Sequence, residues 1–221
     1  MTQTNLVVQP VKSFETYNWL LAKHYAKRVP NIIYSFGLFS GSNLIGVVTY
    51  GIPPSASLCM GICGKEHSSK VLELNRLCLQ ENEKNQSSFL ISQSLKLLPK
   101  PKIVVSYADT SQGHIGYVYQ ATNFLYTGLS AKRTEWRIKG SNLHSKTITE
   151  KTTLKERLSN PNKFEVVNRP QKHRYIYMVG NKKERKLLHE CLNYKIFPYP
   201  KGKTNRYNSG EKVTTQMILQ L

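Results

Sequence analysis

The sequence predicts an α+β protein in which helices pack on one mixed sheet. Two observations predict this class. Apolar runs of strand length alternate with segments of helical periodicity between residues 14 and 128. Two of these runs, 70–79 and 102–108, flank a helix-like segment, and strands joined by a helical crossover lie parallel. The 221 residues suffice for one large domain with an elaborated C-terminal segment.

The first third of the chain predicts a helix and then a β-hairpin. Residues 14–28 carry apolar side chains at helical spacing, and Pro30 stops the helix. The residues expected on its inner face are Phe14, Tyr17, Leu20, Leu21 and Tyr25. The apolar runs 32–39 and 44–52 are separated by the turn-forming residues 40–43, a pattern that is typical of a hairpin.

The middle of the chain predicts strands and helices in alternation. Residues 70–79 have apolar side chains on both faces, and a helix follows over residues 88–98 until a proline. Residues 102–108 form a buried-type strand that ends at Asp109. A polar turn with a glycine then opens a helix over residues 114–127.

The last third is less regular. Residues 133–138 and 174–179 have the composition of strands, and a segment rich in Lys, Asn and Thr separates them. Asn181 and Glu184 resemble a capping box, in which two side chains satisfy the first amides of a helix. We therefore expect one more helix after Asn181.

Positive charge is concentrated in the same third. The chain has 32 Lys and Arg against 13 Asp and Glu, and residues 131–221 hold 21 of the bases and 7 of the acids. Contacts with phosphates release condensed counterions, so this surface favours a polyanionic partner over a protein that is basic without one. We predict a core domain over residues 1–130 and a basic extension over residues 131–221 that packs on the core.

The sequence disfavours a membrane or secreted protein. Its apolar runs are shorter than the roughly 18–20 residues that span a bilayer. The N-terminus lacks a basic stretch followed by an apolar one, and four cysteines are too few for a disulfide scaffold of this size. We expect a cytoplasmic protein.

Several enzyme classes are also disfavoured. The sequence contains no Gly-x-x-x-x-Gly-Lys loop, no glycine-rich loop after an early strand and no Gly-x-Ser-x-Gly elbow. These absences disfavour ATP hydrolysis, a Rossmann-type methyltransferase and a serine hydrolase. Asp109 is the sole aspartate of the chain, which disfavours two-metal nucleases because they need clustered carboxylates.

Chemistry is expected where the strand over 102–108 ends. Asp109 follows that strand, His114 begins the next helix, and Arg76 lies on the neighbouring strand. Such groups transfer protons and stabilise developing charge. In the structural alternative, Asp109 caps the following helix and forms an ion pair with Arg76.

The aromatic residues that follow Asp109 also have two interpretations. They are Tyr117, Tyr119, Phe124 and Tyr126. Aromatic residues at helical spacing are more often core than binding residues, but they can stack on an exposed base. We select Tyr119 as the exception, because it lies near the first turns of the helix that His114 begins.

A metal site is not predicted. Cys59, Cys63 and His67 are regularly spaced, but Gly61 and Gly64 disfavour the helix that would align them. The sequence offers no evident fourth ligand and no close cysteine pair of the structural zinc type.

Longer segments resemble a known family. They are residues 73–79, 88–99, 104–128, 172–180 and 198–202, of which the segment 104–128 is the most specific. Together they resemble the Mom-type phage proteins, and the resemblance covers most of residues 32–202. It implies an acetyltransferase-like (GNAT) fold. It also implies an enzyme that carbamoylmethylates adenine in double-stranded phage DNA and so hides the genome from host restriction.

The resemblance implies that Arg76, Asp109 and Tyr119 match functional positions of the family. We add Tyr50 and His114 as catalytic candidates on placement and chemistry. The residues predicted to bind substrate are Ser106, Tyr107, Asn123, Arg133, Lys172 and Arg174.

The group donor stays open between acyl-CoA and another activated acyl or aminoacyl compound. GNAT enzymes usually cradle the pyrophosphate of the coenzyme in a glycine-containing loop, whereas residues 81–88 contain two acids and no glycine. Backbone amides at the helix start still offer an anion site. An acetyl group alone lacks the amide nitrogen of a carbamoylmethyl group, so another donor or a second step is required.

The resulting hypothesis is an enzyme that extrudes adenine from the duplex. Tyr119 or Tyr50 stacks on the base, and Asp109, directly or through His114, accepts the N6 proton. Arg76 neutralises charge on the donor, and the basic extension grips flanking phosphates. One alternative is a GNAT-type acyltransferase for tRNA, protein or a small amine. Another is a non-catalytic DNA-binding protein, although the restriction blockers that mimic DNA are acidic.

Overall fold

The computed structural model describes residues 5–81, 83–141, 143 and 145–202, without the side chain of Lys146. The strands are β1 (Leu6–Pro10), β2 (Tyr34–Ser40), β3 (Asn43–Gly51), β4 (Val71–Leu79), β5 (Lys102–Asp109), β6 (Leu125–Leu129), β7 (Arg133–Ile138), β8 (Phe164–Arg169) and β9 (Lys172–Val179). The helices are α1 (Ala56–Cys63), α2 (Gln86–Leu97), α3 (Tyr117–Ala121), α4 (Ser145–Lys151), α5 (Leu154–Ser159) and α6 (Lys182–Glu190). No helix within these described ranges is long and apolar enough to cross a membrane.

Seven strands form a central mixed sheet in the order β1-β2-β3-β4-β5-β9-β6. Its neighbours are antiparallel except β4 and β5, which the crossover through α2 makes parallel. The α+β class with a mixed sheet flanked by helices, the hairpin of β2 and β3, and the parallel pair are therefore confirmed.

The pairing of β4 with β5 is short. Backbone partners extend only from Val71–Glu73 to Ile103–Val105, although both strands continue for several more residues. Beyond this point β4 keeps β3 as its neighbour, and β5 keeps β9. The two strands therefore diverge at their carboxyl ends and leave an opening in the middle of the sheet.

Alternation along β4 and β5 produces a core on each face of the sheet. Leu72 and Val104 belong to the core that also contains Leu90 and other residues of α2. Val71 and Ile103 belong to the opposite core, which contains residues of α1 and α6. Strands that are buried on both faces read as continuous apolar runs, which is why the sequence revealed them.

The predicted helix over residues 14–28 is present only as an irregular helix that ends early. The chain is helical from Ser13 to Lys23, with 3₁₀ geometry over Ser13–Thr16 and π geometry over Trp19–Lys23, and His24 is already extended. Trp19 and Leu20 are buried against the sheet, whereas the other apolar residues at helical spacing are exposed: Phe14, Tyr17, Leu21 and Tyr25. Helical spacing therefore overestimated the length of the helix and the part of it that packs on the sheet.

The predicted helix over residues 114–127 is also wrong in most of its length. Only α3 is helical, and the Thr122 hydroxyl closes it by donating to the carbonyls of Val118 and Tyr119. Asn123 then adopts a left-handed conformation (φ 60°), after which β6 begins at Leu125. The aromatic and β-branched residues of this segment are compatible with either a helix or a strand. Their periodicity alone did not show where the helix ends and the strand begins.

The C-terminal third is partly built into the core. Strand β9 lies inside the central sheet between β5 and β6, although the predicted boundary at residue 130 assigned it to the extension. Strands β7 and β8 form a separate two-stranded sheet with α4 and α5 between them in sequence. The predicted helix after Asn181 is present as α6, with its capping box. Residues 203–221 of the predicted extension lie outside the described residues.

Tyr50→Phe tests the packing of α2 on the sheet. The Tyr50 hydroxyl lies 2.6 Å from the Ser94 Oγ inside the core, so its removal should lower the free energy of unfolding by about 1 kcal/mol. Leu90→Ala at the same interface should cost more, about 2–5 kcal/mol. Urea denaturation measures both values, and an unchanged stability of Leu90→Ala would contradict this packing.

Candidate active site

A cleft of about 830 Å³ opens where β4 and β5 diverge. Its lining comes from both faces of the sheet. Residues at the start of α1 and at the start of α2 contribute, as do the second half of β4 and the loop that leads into α3. The segments where β7, β8 and β9 meet complete the wall. The cleft therefore passes through the opening in the sheet.

Most predicted site residues line this cleft. They are Arg76, Tyr107, His114, Tyr119, Arg133, Lys172 and Arg174. Four others do not line it: Tyr50, Ser106, Asp109 and Asn123. The sequence thus located the region correctly, but not the part that every residue plays.

Asp109 lies just behind the cleft wall and is held by three donors. The Lys172 Nζ contacts its Oδ2 at 2.6 Å, and the Ser111 amide and hydroxyl donate to its Oδ1 at 3.0 and 2.6 Å. Burial alone raises the pKa of Asp109, but the bonds from Lys172 and Ser111 outweigh it and hold that pKa below its usual range. Asp109 is a carboxylate that resists protonation, and it fixes the position of Lys172.

Arg76 is not the partner of Asp109, so the ion pair of the structural alternative does not form. Its guanidinium donates to the backbone carbonyls of Asn75 (2.6 Å) and Arg28 (3.4 Å), and its Nε has no partner within the described residues. Burial and the nearby Arg28 lower the pKa of Arg76. A half-buried guanidinium with spare donors in a cleft is suited to an anionic group.

Glu73 is a candidate that the sequence analysis missed. It lies at the last paired position of β4 with β5 and lines the cleft. Within the described residues it forms no hydrogen bond and no ion pair. Burial raises the pKa of Glu73, and Arg76, Lys172 and Arg28 only partly oppose this shift. An acid in a strand that is mostly buried was the signal that could have identified it.

The predicted His114 belongs to an aromatic rim together with His24 and Tyr25, which the sequence analysis missed as site residues. The rings of His24 and Tyr25 stack at 4.5 Å, and the rings of Tyr25 and His114 make an edge-type contact at 6.1 Å. Burial, followed by the charges of Arg76, His114 and Lys172, lowers the pKa of His24 to about 3, so this ring is neutral near pH 7. Tyr25 was expected in the core, but it is 37% exposed and lines the cleft.

Tyr119 lines the cleft but is almost completely buried. Its ring lies close to the rings of Phe124 (5.4 Å) and Tyr175 (5.2 Å), and burial raises its pKa to about 12. Because only 9% of Tyr119 is exposed, little of its ring is available for stacking on a base, which disfavours that part of the prediction. Its hydroxyl is directed to Ser106, and the Ser106 hydroxyl donates to the carbonyl of Leu74 at 2.9 Å.

Tyr50, Ser106 and Asn123 are not placed to touch a substrate in this cleft. Tyr50 and Ser106 are fully buried, and each uses its hydroxyl in an internal hydrogen bond. Asn123 lines a separate depression together with residues of α6. Its left-handed backbone explains the choice of Asn at a turn, so its role in the sequence is conformational.

Three basic residues surround the outer cleft. Arg174 donates to the Thr127 hydroxyl and carbonyl at 2.9 and 3.0 Å, and its guanidinium covers the Tyr194 ring at 3.5 Å. Lys172 is fixed by Asp109. Arg133 is exposed and has no partner within the described residues. Among the described residues that line the cleft, Glu73 is thus a carboxylate without a hydrogen-bond or ion-pair partner, and it lies below a mouth of basic residues.

The helix that Gly61 and Gly64 were expected to disfavour is present, since α1 (Ala56–Cys63) carries both Cys59 and Cys63. Cys63 directs its thiol to the carbonyl of Leu188. Glu66, His67 and Cys191 instead bring one potential ligand atom each within 4.8 Å of one another. The Lys70 Nζ lies 2.8 Å from the His67 Nδ1, which places a cation beside this group.

The molecule is an α+β protein whose mixed sheet opens between two parallel strands. The opening contains a carboxylate and several basic side chains, and this arrangement defines an enzyme-like cleft for an anionic ligand. The sequence profile of the Mom protein family matches residues 5–201, and the chain belongs to this family. It is 31% identical to methylcarbamoylase mom of Escherichia phage Mu over 205 residues, which cover 89% of this chain and 84% of the relative. The family predicted from sequence segments is confirmed.

Solved structures with some similarity include acetyltransferases. NAA60 of Arabidopsis thaliana in complex with acetyl-CoA matches 79% of this chain and 99% of its own, with 12% identity and a TM-score of 0.47. The putative acetyltransferase yncA from Salmonella typhimurium with acetyl-CoA matches 80% of this chain and 95% of its own, with 9% identity and a TM-score of 0.46.

Asp109→Asn tests the anchoring of Lys172. Because the folded-state pKa of Asp109 is lowered, its contribution to stability is complete above the unfolded-state pKa near about 4 and disappears as the pH falls through the lower folded value. The variant should be less stable than the wild type by about 1.5–3 kcal/mol at pH 7. Denaturant titrations from pH 7 to pH 3 should show the difference shrinking, and a difference that grows towards low pH would contradict the assignment.

Proposed function

We propose that this protein is a transferase that adds a carbamoylmethyl group to N6 of adenine in double-stranded phage DNA, within the cytoplasm of the infected bacterium. Membership of the Mom family and the identity to a phage methylcarbamoylase support the reaction class. The proton-transfer chemistry is inferred from the Glu73 carboxylate. It has no hydrogen-bond or ion-pair partner within the described residues, and it lies below the basic residues at the mouth of the cleft. Modified adenine then protects phage DNA from restriction enzymes of the host.

The cleft suits a single base better than a duplex. It passes between two strands of a sheet, and its volume of about 830 Å³ is in the range of small-ligand sites. Adenine must therefore leave the helix, which costs a few kcal/mol. Tyr25 takes over the stacking role that was first given to Tyr119 and Tyr50, because its ring is exposed on the rim of the cleft.

Proton transfer is assigned to Glu73 rather than to Asp109. Adenine N6 is a weak nucleophile, since its lone pair is delocalised into the ring. As N6 bonds to the incoming carbon, its proton passes to Glu73, and the leaving group departs from the donor with the bonding electrons. A carboxylate with a raised pKa accepts this proton more readily than Asp109, whose pKa is lowered by Lys172 and Ser111.

Asp109 acts through Lys172. The ion pair at 2.6 Å fixes the ammonium group of Lys172 at the cleft wall. From there its charge opposes the rise in the pKa of Glu73 and adds to the lowering of the pKa of His24. Lys172 thereby favours the ionised form of Glu73 and attracts the phosphate that flanks the extruded nucleotide. Asp109 is thus a positioning residue.

The donor side of the cleft is assigned to the start of α2. Asn85, Ser87 and Ser88 line the cleft there, and the side chain of Asn85 does not cap the helix. Backbone amides at a helix start, together with Lys84, suit a phosphate-bearing group, while Glu83 is engaged by the Gln86 side chain at 2.7 Å. The carbon that bonds to N6 in the product is a methylene, so the donor would carry a carbamoylmethyl group on a leaving group, and Arg76 would neutralise the charge of that leaving group.

Glu73→Gln tests the proton acceptor. The substitution preserves shape and removes the base, so we expect the turnover number to fall by roughly 10²–10⁴. In the wild type the rate should rise with pH through the raised pKa of Glu73, and this dependence should vanish in the variant. Mass spectrometry of nucleosides from DNA and tRNA measures the product, and the exposed Glu190→Gln is the control. A wild-type rate in Glu73→Gln would exclude this role.

Tyr25→Ala and Tyr25→Phe test the stacking surface as a matched pair. Loss of the ring should weaken productive binding of the extruded base by about 1–3 kcal/mol, while Tyr25→Phe retains the stacking face and should stay near the wild type. Steady-state modification of a duplex substrate separates the two. If both variants were impaired to the same degree, the hydroxyl rather than the ring would be the functional group.

A further inference from the structure

Residues 131–171, here called the arm, are inserted between β6 and β9. These two strands pair antiparallel, and β7 and β8 continue from them as a two-stranded ribbon. The root of the arm is tied to the central sheet, since the Ser130 amide donates to the Lys172 carbonyl (2.8 Å) and the Lys172 amide donates to the Ser130 hydroxyl (3.0 Å). The ribbon therefore leaves the molecule from the mouth of the cleft.

The outer end of the ribbon is held by its own small core. Ile148 of α4 and Phe164 of β8 are buried, and the Arg157 guanidinium of α5 lies 5.4 Å from the centre of the Trp136 ring. Arg157 also donates to the Thr152 carbonyl and hydroxyl. These helices pack on the strands, so the ribbon is supported along its length and is not a loose loop.

Side-chain alternation separates two faces of the ribbon. Trp136 shares one face with Ile138, and this is the face that the helices cover. Arg133, Glu135 and Arg137 share the other, open face. On that face Arg133 stands directly opposite Arg169, and both side chains also line the cleft. The cationic mouth of the cleft thus reaches the start of the ribbon, and further along the open face Arg137 is accompanied by Glu135 and Glu165.

The charges of the open face are partly committed to one another. Glu135 lies 3.0 Å from Arg137 and 3.9 Å from Arg169. Arg133 has no partner within the described part of the chain. Like charges placed opposite each other on a ribbon are destabilising, and Glu135 offsets this repulsion only on the side of Arg169, so a further anion beside Arg133 would be favourable. The arm as a whole has ten Lys and Arg residues against four Glu.

We propose that the open face of the β7–β8 ribbon docks along a groove of duplex DNA beside the extruded base, with Arg133 and Arg169 on phosphates next to the target. The inference rests on the proposed function and deepens it by naming the surface that holds the duplex. A two-stranded ribbon fits the major groove, which is about 12 Å wide. Six residues per strand span about 20 Å, or about six base-pair steps of roughly 3.4 Å.

The test compares two double variants that lose the same charge. Arg133→Gln with Arg169→Gln alters the ribbon, and Lys182→Gln with Arg185→Gln alters α6, whose depression shares no lining residue with the cleft. Fluorescence anisotropy of a labelled duplex is measured over a salt series. The slope of log K against log salt should become shallower by about 1.8 for the ribbon variant, since each phosphate contact contributes about 0.9.

The affinity of the ribbon variant for the duplex should fall roughly tenfold or more near 0.1 M salt, and the α6 variant should keep the wild-type slope. Equal losses in both variants, or no loss in the ribbon variant, would overturn the role of the ribbon while leaving DNA as the substrate. A wild-type protein that binds tRNA but no duplex would overturn the proposed function itself. Arg133→Gln alone, at an exposed and unpaired position, repeats the test if thermal melting shows that the double variant is unfolded.

Discussion

The active-site cleft depends on the place where strands β4 and β5 stop pairing, and one side-chain hydrogen bond marks that place. Backbone pairing of β4 with β5 ends at Glu73, and the Ser106 hydroxyl then donates to the Leu74 carbonyl at 2.9 Å. This buried side chain replaces the next rung of the ladder, after which the strands diverge. Glu73 lies at the vertex of the opening, Arg76 on one limb and Asp109 on the other.

The opening brings together two carboxylates with opposite properties. Glu73 is half-buried without a hydrogen-bond partner in the described residues, so its pKa rises. Asp109 is enclosed by Lys172 and Ser111, so its pKa falls. Environments that separate the pKa values of two acids in this way usually separate their roles, and here they distinguish a proton acceptor from an anchor for a cation.

The fold could be predicted where local pattern and tertiary environment agreed. Strands β4 and β5 are buried on both faces and read as apolar runs, and α6 announced itself by its capping box. Periodicity overestimated the helices around Trp19 and Asn123, where an irregular helix ended early and a left-handed residue redirected the chain. Strand β8 contains Phe164, Val166 and Val167, but most of its positions are exposed, and its pattern was not recognised as a strand.

The sequence predicted the location of the site but not the role of each residue in it. Asp109 and Arg76 were expected near one another, but the folded structure pairs Asp109 with Lys172 instead of Arg76. Tyr25 served only as part of a helical pattern although it lines the cleft, and Tyr119 was assigned to the substrate although its side chain is almost completely buried. Burial and pairing are set by residues distant in sequence, which spacing alone does not reveal.

The central claim is that this cleft modifies adenine in DNA. It is tested most directly by expressing the wild-type protein in bacteria, digesting their DNA to nucleosides and weighing the adenosines. We predict a deoxyadenosine that is heavier by one carbamoylmethyl group in DNA and absent from cells without the protein. Unchanged deoxyadenosine in DNA, with a new acyl group on tRNA or protein instead, would contradict the account.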